Sequence, residues 1–301
     1  MKTEAPANIF ELQDDTAYQT WRAEKLENYP SGISDLIVTV KDAENITSEE
    51  FASIQSSCRK ANMVVVQLKQ PAGDPQDKLK IKRLGQQLGL NHLDSNLCAD
   101  EDSITSLTVV DSGQQKTYIP YSNKPISWHT DGYYNKPHNK IRALMLHCVS
   151  PAAKGGENAI LDHEIAYIHL RDANPDYITA LMQKDAMTIP ANDTEGATIR
   201  KAQSGSVFSV NPQDGKLHMR YTARTRSIIW KDDPITLEAV AYLKDFLEGD
   251  SPFIIQHRLQ AGQNLIANNI LHTRTAFEDD ETKGQKRLIY RARYFDRIAN
   301  T

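Results

Sequence analysis

The 301-residue sequence has few cysteines, no long apolar run and no excess of positive charge. Its three cysteines, Cys58, Cys98 and Cys148, are widely spaced. This spacing excludes a disulfide framework or a CxxC metal site and favours buried or free thiols in a reducing compartment. No apolar stretch approaches the roughly 20 residues that cross a bilayer, and the first residues lack the apolar core of a secretory signal. We therefore expect a cytoplasmic protein without a membrane partner.

The composition is that of a globular protein. The formal net charge is −4, with 40% hydrophobic and 25% charged residues, so the chain lacks the basic surplus that neutralises nucleic-acid phosphates. This content supports a sizeable core and excludes a disordered or collagen-like chain. No repeat, low-complexity tract or linker divides the sequence, which predicts one domain over residues 1–301 with a peripheral arm over 1–30. The oligomeric state is open, a homo-oligomer included.

Turn and capping signals predict an α+β fold that is mainly β with flanking helices. A capping box opens a helix over 47–61, a buried strand follows at 63–68, and a helix over 75–88 ends at Gly89. Further helices are expected at about 163–184 and 234–248, and residues 181–206 are expected to form a loop, our candidate for a lid. Short strands separated by turns are typical of a sandwich or jelly roll. They are predicted at about 105–110, 142–149, 158–162, 206–210, 216–220, 226–230, 253–258, 264–267 and 286–295.

The stretch SWHTDGYYN at 127–135 is the most informative motif. His129 and Asp131 are two residues apart, so in extended chain they share a face and can converge on one ion. Gly132 would let the strand turn away directly after the pair. Taken alone, such a pair more commonly points into solvent at a strand end.

A second histidine and a set of arginines near the C-terminal end change this interpretation. His272 would complete two histidines and one carboxylate, the facial triad of non-haem Fe(II) oxygenases. Arg287, Arg291 and Arg293 share one strand parity, and a guanidinium pairs with a carboxylate through two hydrogen bonds. If Arg287 points inward, Arg291 is expected to do so too, and two inward cations would be costly unless each met an anion. Taken alone, Arg287 is more commonly a surface charge on a strand.

The chain resembles the taurine dioxygenase-like (TauD/TfdA-type) Fe(II)/2-oxoglutarate-dependent dioxygenases. The resemblance covers roughly residues 105–295. It rests on WHTDG at 128–132, PAAKGGENAILD at 151–162, NNILHTRTAF at 268–277 and KRLIYRARY at 286–294. It implies a double-stranded β-helix (jelly-roll) core of the clavaminate synthase-like type, with iron at its mouth.

The same resemblance implies roles for individual residues. His129, Asp131 and His272 are the expected iron ligands, and Arg287 is the expected partner of the C5 carboxylate of 2-oxoglutarate. Asn158 stands where the family commonly has a threonine that contacts this carboxylate. This is a departure, although an amide can also donate a hydrogen bond.

Three further residues are expected to contact the substrate. Arg291 matches a second family arginine, which contacts the substrate anion or the cosubstrate. Tyr133 and Tyr134 follow the ligand pair directly, and one of them is expected to line the substrate pocket. No separate acid or base is assigned, because the iron centre itself carries the chemistry.

The expected reaction uses Fe(II), 2-oxoglutarate and O2 to hydroxylate a C–H bond of a small anionic or amino-acid-like molecule, with release of succinate and CO2. Two alternatives stay open at this point. A zinc-type hydrolase could use the same ligands, but it would need neither the arginines nor O2. A non-catalytic jelly-roll binding module would have no use for a complete ligand set.

Overall fold

The computed structural model describes residues 9–13, 15–70, 72–95, 100, 102–194, 197–224 and 228–301. The helices in this part of the chain are α1 (Asp15–Glu27), α2 (Ser48–Ala61), α3 (Asp77–Gln87), α4 (His163–Ala173), α5 (Pro175–Leu181) and α6 (Pro234–Glu248). The strands of the N-terminal half are β1 (Ile37–Val40), β2 (Met63–Leu68), β3 (Thr105–Leu107), β4 (Ile126–His129), β5 (Ala143–Ser150), β6 (Lys154–Gly155) and β7 (Asn158–Leu161). Those that follow are β8 (Met187–Ile189), β9 (Asn192–Thr194), β10 (Ala197–Arg200), β11 (Gln203–Gly205), β12 (Phe208–Val210), β13 (Leu217–Met219), β14 (Ile229–Trp230), β15 (Ile255–His257), β16 (Gln263–Ala267), β17 (Leu271–Arg274), β18 (Phe277–Glu278) and β19 (Leu288–Tyr294).

The chain divides into two compact units. The first unit comprises the described parts of 1–29, 163–220 and 225–251, and the second comprises those of 30–162, 221–224 and 252–301. In the first unit, α1 is anchored by the buried Tyr18, whose hydroxyl donates to Asp172 on α4 at 2.8 Å. The single domain with an arm over residues 1–30 stays a prediction.

Two sheets dominate the second unit. A six-stranded sheet has the order β1-β2-β16-β5-β19-β3, and a four-stranded sheet has the order β15-β7-β17-β4. Apart from the parallel pair β1 and β2, their strand pairs are antiparallel. Together with the flanking helices, these sheets confirm the predicted α+β class.

Strand β19 packs one of its faces against the hydrophobic core of the second unit. Its even-numbered residues Ala292 and Tyr294 pack in a core with Ile54 of α2 and Leu84 of α3. Because strand side chains alternate, its odd-numbered residues face the other way, toward the four-stranded sheet. Arg291 and Arg293 share this face, whereas Arg287 precedes β19 and a register shift between Leu288 and Ile289, so its shared parity stays a prediction.

Local signals explain the helix boundaries in the second unit. Thr47 accepts from the backbone N–H of Glu50, whose carboxylate accepts from Thr47 in return, so the capping box opens α2 as predicted. Helix α2 ends at Asn62 in the left-handed region (φ 55°). Gly89 follows α3 with φ 82°, which confirms its predicted role as a helix end.

The first unit differs from the prediction in two places. The helix expected over 163–184 is two helices, because Asn174 caps a new helix and Pro175 occupies its first turn. The expected loop over 181–206 contains the short strands β8 to β11, with β11 antiparallel to β8. Residues 195 and 196 lie outside the described residues, and the lid stays a prediction.

Two expectations on composition have structural outcomes. Cys58 and Cys148 are free and buried, and burial raises the pKa of each thiol to about 12. Cys98 lies outside the described residues. Within the described ranges, no helix combines the length and the apolar character needed to span a membrane.

Candidate metal centre

The three predicted ligands converge on one point in the second unit. One donor atom each from His129, Asp131 and His272 lies within 4.8 Å of the other two. Nε2 of His129 is 3.9 Å from Oδ1 of Asp131, and the two imidazole centroids are 4.2 Å apart. A common ion can therefore be reached by all three side chains.

Strand pairing brings the two histidines together. β4 lies antiparallel to β17 with His129 directly opposite His272, so both side chains project from the same face of the four-stranded sheet. The opposite edge of β4 pairs with Thr222, and Thr130 exchanges hydrogen bonds with the backbone of Tyr221. The strand that carries His129 is thus held on both sides.

Backbone carbonyls fix the orientation of both imidazoles. Nδ1 of His129 lies 2.9 Å from the carbonyl oxygen of Ser127, and Nδ1 of His272 lies 3.0 Å from that of Ile270. A carbonyl oxygen only accepts, so each Nδ1 carries the proton and each Nε2 presents a lone pair. This is the arrangement that metal-binding histidines use.

A tight turn places the carboxylate ligand. Gly132 follows Asp131 with φ 68°, and a Cβ atom at this position would lie 2.4 Å from Cγ1 of Ile141. Only glycine therefore fits both the backbone conformation and the space. The turn that the sequence predicted after the ligand pair is confirmed.

The electrostatics suit a divalent cation. Burial lowers the pKa of His129 to about 3, and it also lowers the pKa of His272, so both imidazoles are neutral near pH 7. Burial alone would raise the pKa of Asp131, but the guanidiniums of Arg291 and Arg293 hold it well below its usual range. The donor set is two neutral nitrogens and one carboxylate.

These residues fit Fe(II). Oδ2 of Asp131 is buried without a hydrogen-bond partner among the described residues, although a buried carboxylate oxygen ordinarily has one. An ion held between this carboxylate and two lone-pair nitrogens would satisfy it. Two histidines and one carboxylate on one side of an ion are the donor set of non-haem Fe(II) oxygenases.

Arg287 is a buried cation of the same unit. It is 7% exposed, and its guanidinium lies over the ring of Phe277 at 5.1 Å. Its backbone N–H donates to Asp279, but no described carboxylate forms an ion pair with its side chain. Burial accordingly lowers the pKa of Arg287 to about 10. Gly156 leaves space beside it, since a Cβ there would lie 3.7 Å from Nε of Arg287.

Asn158 shares the sheet face of the ligands. It lies on β7 two residues before Ile160, which is paired with His272. Its Nδ2 donates to the carbonyl oxygen of Thr273 at 2.7 Å, which uses one of the two amide hydrogens. Its predicted contact with the cosubstrate stays a prediction.

The residues expected near the substrate occupy two positions. Nη1 of Arg291 lies 3.5 Å from Oδ1 of Asp131. The ring of Tyr133 meets His129 edge-on at 6.5 Å, and the hydroxyl of Tyr134 accepts from Nη1 of Arg293 at 2.7 Å. Tyr133 therefore lies beside the metal position, whereas Tyr134 is tied to a neighbouring arginine.

Two residues of the site were not predicted. Arg293 is 3% exposed and pairs with Asp94 at 2.5 Å, so its charge is neutralised within the protein. Its strand parity, shared with Arg287 and Arg291, was a usable signal. Asn269 contacts the backbone of Asp131, and it stands inside the NNILHTRTAF segment without any signal of its own.

Comparison with known proteins agrees with this chemistry. The family profile described as "Taurine catabolism dioxygenase TauD, TfdA family" matches residues 25–293. Over 205 residues the chain is 28% identical to a uridine-5'-phosphate dioxygenase of a Streptomyces species, spanning 65% of this chain and 71% of the relative.

Solved structures show the same fold. An asparagine oxygenase in complex with Fe(II), 3-hydroxyasparagine and succinate superimposes with a TM-score of 0.54 at 11% identity, covering 86% of this chain and 93% of that one. The non-heme iron oxygenase OrfP in complex with Fe, succinate and (3S)-hydroxy-L-Arg gives a TM-score of 0.59 at 14% identity, covering 84% and 81%. The predicted jelly-roll fold is confirmed.

Proposed function

The chain belongs to the TauD, TfdA family of Fe(II)/2-oxoglutarate-dependent dioxygenases, and from this premise we propose that it hydroxylates a C–H bond of a small anionic substrate. The convergence of His129, Asp131 and His272 within 4.8 Å is the observation that carries the proposal. Membership of a dioxygenase family argues against the two alternatives from the sequence, a zinc-type hydrolase and a non-catalytic binding module. Succinate and CO2 are the expected co-products.

His129, Asp131 and His272 would hold the iron through two Nε2 atoms and the carboxylate. When bound, Fe(II) supplies the open coordination positions at which 2-oxoglutarate and O2 react. The protein contributes fixed donors, because both imidazoles are oriented by backbone carbonyls and the carboxylate by a glycine turn. No separate acid or base is proposed.

Arg287 is the proposed partner of the C5 carboxylate of 2-oxoglutarate. A buried guanidinium without an anion is costly, and a carboxylate that enters its surroundings would offset this cost through two hydrogen bonds. Gly156 has no side chain to cover Nε of Arg287, since a Cβ there would lie in van der Waals contact with it at 3.7 Å. Asn158, on the same sheet face as the metal ligands, is proposed to donate its second amide hydrogen to this carboxylate.

Arg291 is the proposed partner of the substrate's anionic group. It lies beside the metal position, and its Nε–H has no hydrogen-bond partner among the described residues. The relative named above is a uridine-5'-phosphate dioxygenase, and the two solved oxygenases hold 3-hydroxyasparagine and (3S)-hydroxy-L-Arg. Each of these molecules carries either a phosphate or a carboxylate, and both anions pair with a guanidinium through two hydrogen bonds.

Tyr133 is proposed to form a wall of the substrate pocket. Its ring lies edge-on to His129, so a substrate bound next to the iron would meet this ring. Tyr134 packs against Tyr133 with 5.1 Å between ring centroids and limits its movement. An apolar wall of this kind would help to exclude water from the reacting C–H bond.

An anaerobic titration tests the proposal. Fe(II) added to the protein with 2-oxoglutarate should produce a weak charge-transfer band in the visible, and Asp131→Ala should abolish it. Uridine-5'-phosphate, asparagine, arginine and taurine are then added in turn, and a true substrate should perturb the band and couple succinate release to O2 consumption. Wild-type protein that binds no Fe(II), or turns over without O2, would refute the proposed function.

A further inference from the structure

Asn269 holds both polar groups of the Asp131 backbone. Its Oδ1 accepts from the N–H of Asp131 at 2.7 Å, and its Nδ2 donates to the carbonyl oxygen of the same residue at 2.9 Å. A second bond from Nδ2 reaches the carbonyl oxygen of Ile141 at 2.7 Å. The side chain is 1% exposed, and these three bonds use its acceptor and both amide hydrogens.

The position of Asn269 explains why such a contact is needed. β4 ends at His129, so Asp131 lies beyond the last ladder pair of the four-stranded sheet. Asn269 lies between β16 and β17, only three residues before His272, with a left-handed backbone (φ 51°). One side chain therefore ties the turn that carries the carboxylate ligand to the strand that carries the second histidine.

We propose that Asn269 is a positioning residue for the metal, which sets the separation between the Asp131 carboxylate and the His272 imidazole. The inference rests on the proposed metal site. Fixing the backbone of Asp131 on both sides leaves only its two side-chain torsions to place the carboxylate. Donors held in place need no reorganisation when the ion binds.

Asn268 supplies a matched control. Its Nδ2 donates to Asn62 and Thr301 at 3.1 and 3.0 Å, and its Oδ1 accepts from the N–H of Ile298 at 3.1 Å. It is 3% exposed, so it is buried and hydrogen-bonded to a similar extent. None of these partners is a proposed metal ligand. Substitution of Asn268 therefore reports what the loss of a buried amide does to the fold alone.

Two variants of Asn269 separate the parts of the contact. Asn269→Gly tolerates the left-handed backbone and removes all three hydrogen bonds. Asn269→Asp keeps the acceptor for the N–H of Asp131, but a carboxylate cannot donate to the two carbonyl oxygens. Asn268→Ala is the control, and far-UV circular dichroism verifies that each protein is folded.

Mn(II) binding without cosubstrate is the measurement, followed through the electron paramagnetic resonance signal of the free ion. Both Asn269 variants should lose about 10- to 100-fold in Mn(II) affinity, while Asn268→Ala keeps the wild-type affinity. Wild-type affinity in either Asn269 variant, or an equal loss in Asn268→Ala, would overturn the inference. Failure of the unmodified protein to bind Mn(II) would instead refute the metal site itself.

Discussion

Nη1 of Arg291 lies 3.5 Å from Oδ1 of Asp131, and the two side chains are 12% and 5% exposed. A cation is thus held next to the carboxylate ligand while its Nε–H has no hydrogen-bond partner among the described residues. The carboxylate occupies only part of the guanidinium fork. This unpartnered N–H is the donor that our proposal assigns to the anionic group of the substrate.

Arg291→Ala should therefore weaken substrate binding and leave cosubstrate binding intact. A hydrogen bond to a charged group contributes about 1.5–3 kcal/mol, so the KM for the substrate should rise about 10- to 100-fold. Arg291→Lys keeps the charge but loses the planar fork, so its substrate KM should lie between those of the wild type and Arg291→Ala. Titration of the Fe(II) charge-transfer band with 2-oxoglutarate is the control. An unchanged substrate KM in Arg291→Ala would show that Arg291 does not bind the substrate.

Arg287→Met should abolish 2-oxoglutarate binding without destabilising the protein. The buried guanidinium has no carboxylate partner among the described residues, so its replacement by an apolar side chain of similar length removes a desolvation cost. We expect the free energy of unfolding in urea to stay the same or to increase. A clear decrease would show that Arg287 has a structural role.

Arg274 offers the contrasting case for this experiment. It also lies over Phe277, at 4.9 Å, and burial lowers its pKa to about 9. Its guanidinium donates to the carbonyl oxygens of Ser122 and Lys124 at 2.7 and 2.5 Å. Arg274→Met leaves these acceptors without their partner and should cost about 1–3 kcal/mol of stability. A loss of stability in Arg274→Met but not in Arg287→Met would distinguish a structural arginine from a ligand-binding one.

The candidate site could be predicted from sequence because few residue types ligate iron and because four segments of the chain resemble one dioxygenase family. The two-residue spacing of His129 and Asp131 predicted that they converge, but β4 ends at His129 and Asp131 lies in the turn that Gly132 indicated. The direct pairing of His129 with His272 could not be predicted in this way. Register between strands so far apart in sequence depends on how the whole sheet packs.

Other features that the sequence patterns did not reveal also depend on contacts between distant segments of the chain. The segment 181–206 is rich in turn-forming and polar residues, yet pairing with neighbouring strands makes it β8 to β11. Asn269 looks like any polar residue in sequence, because its three bonds need a left-handed backbone and partners from two other segments. Arg293 was detectable by strand parity, but Asp94 and Tyr134 reach it only through tertiary structure.

His147 should make stability depend on pH. It is 1% exposed on the face of β5 opposite the metal site, and its Nδ1 lies 2.9 Å from Oδ1 of Asn264. Burial lowers its pKa below the usual 6.5, against the opposing effects of Asn264 and Asp77 and with a small contribution from Lys80. Below pH 6.5 the unfolded chain therefore binds a proton that the folded protein does not.

The unfolding free energy should accordingly fall on acidification below pH 6.5, by up to about 1.4 kcal/mol per pH unit from this group. The loss should stop once the pH reaches the lowered pKa of the folded state. His147→Gln removes the titrating group, so its stability in urea should depend less steeply on pH over the same range. A steeper dependence in the variant would contradict the assignment.

Gly132→Ala should reduce both stability and metal affinity, because its added Cβ would lie 2.4 Å from Cγ1 of Ile141 and its φ of 68° is strained for alanine. Gly113→Ala is the control, since φ there is 78° but no atom of the described residues lies within 4 Å of the added Cβ. The positive φ costs about 1–3 kcal/mol for alanine at either position. Only Gly132→Ala should also weaken Mn(II) binding, because only this turn carries Asp131.

Ile141→Ala combined with Gly132→Ala removes the colliding atom, so it should restore part of the metal affinity while the backbone strain remains. Equal Mn(II) affinity in the two glycine variants would mean that the turn does not determine the position of the carboxylate.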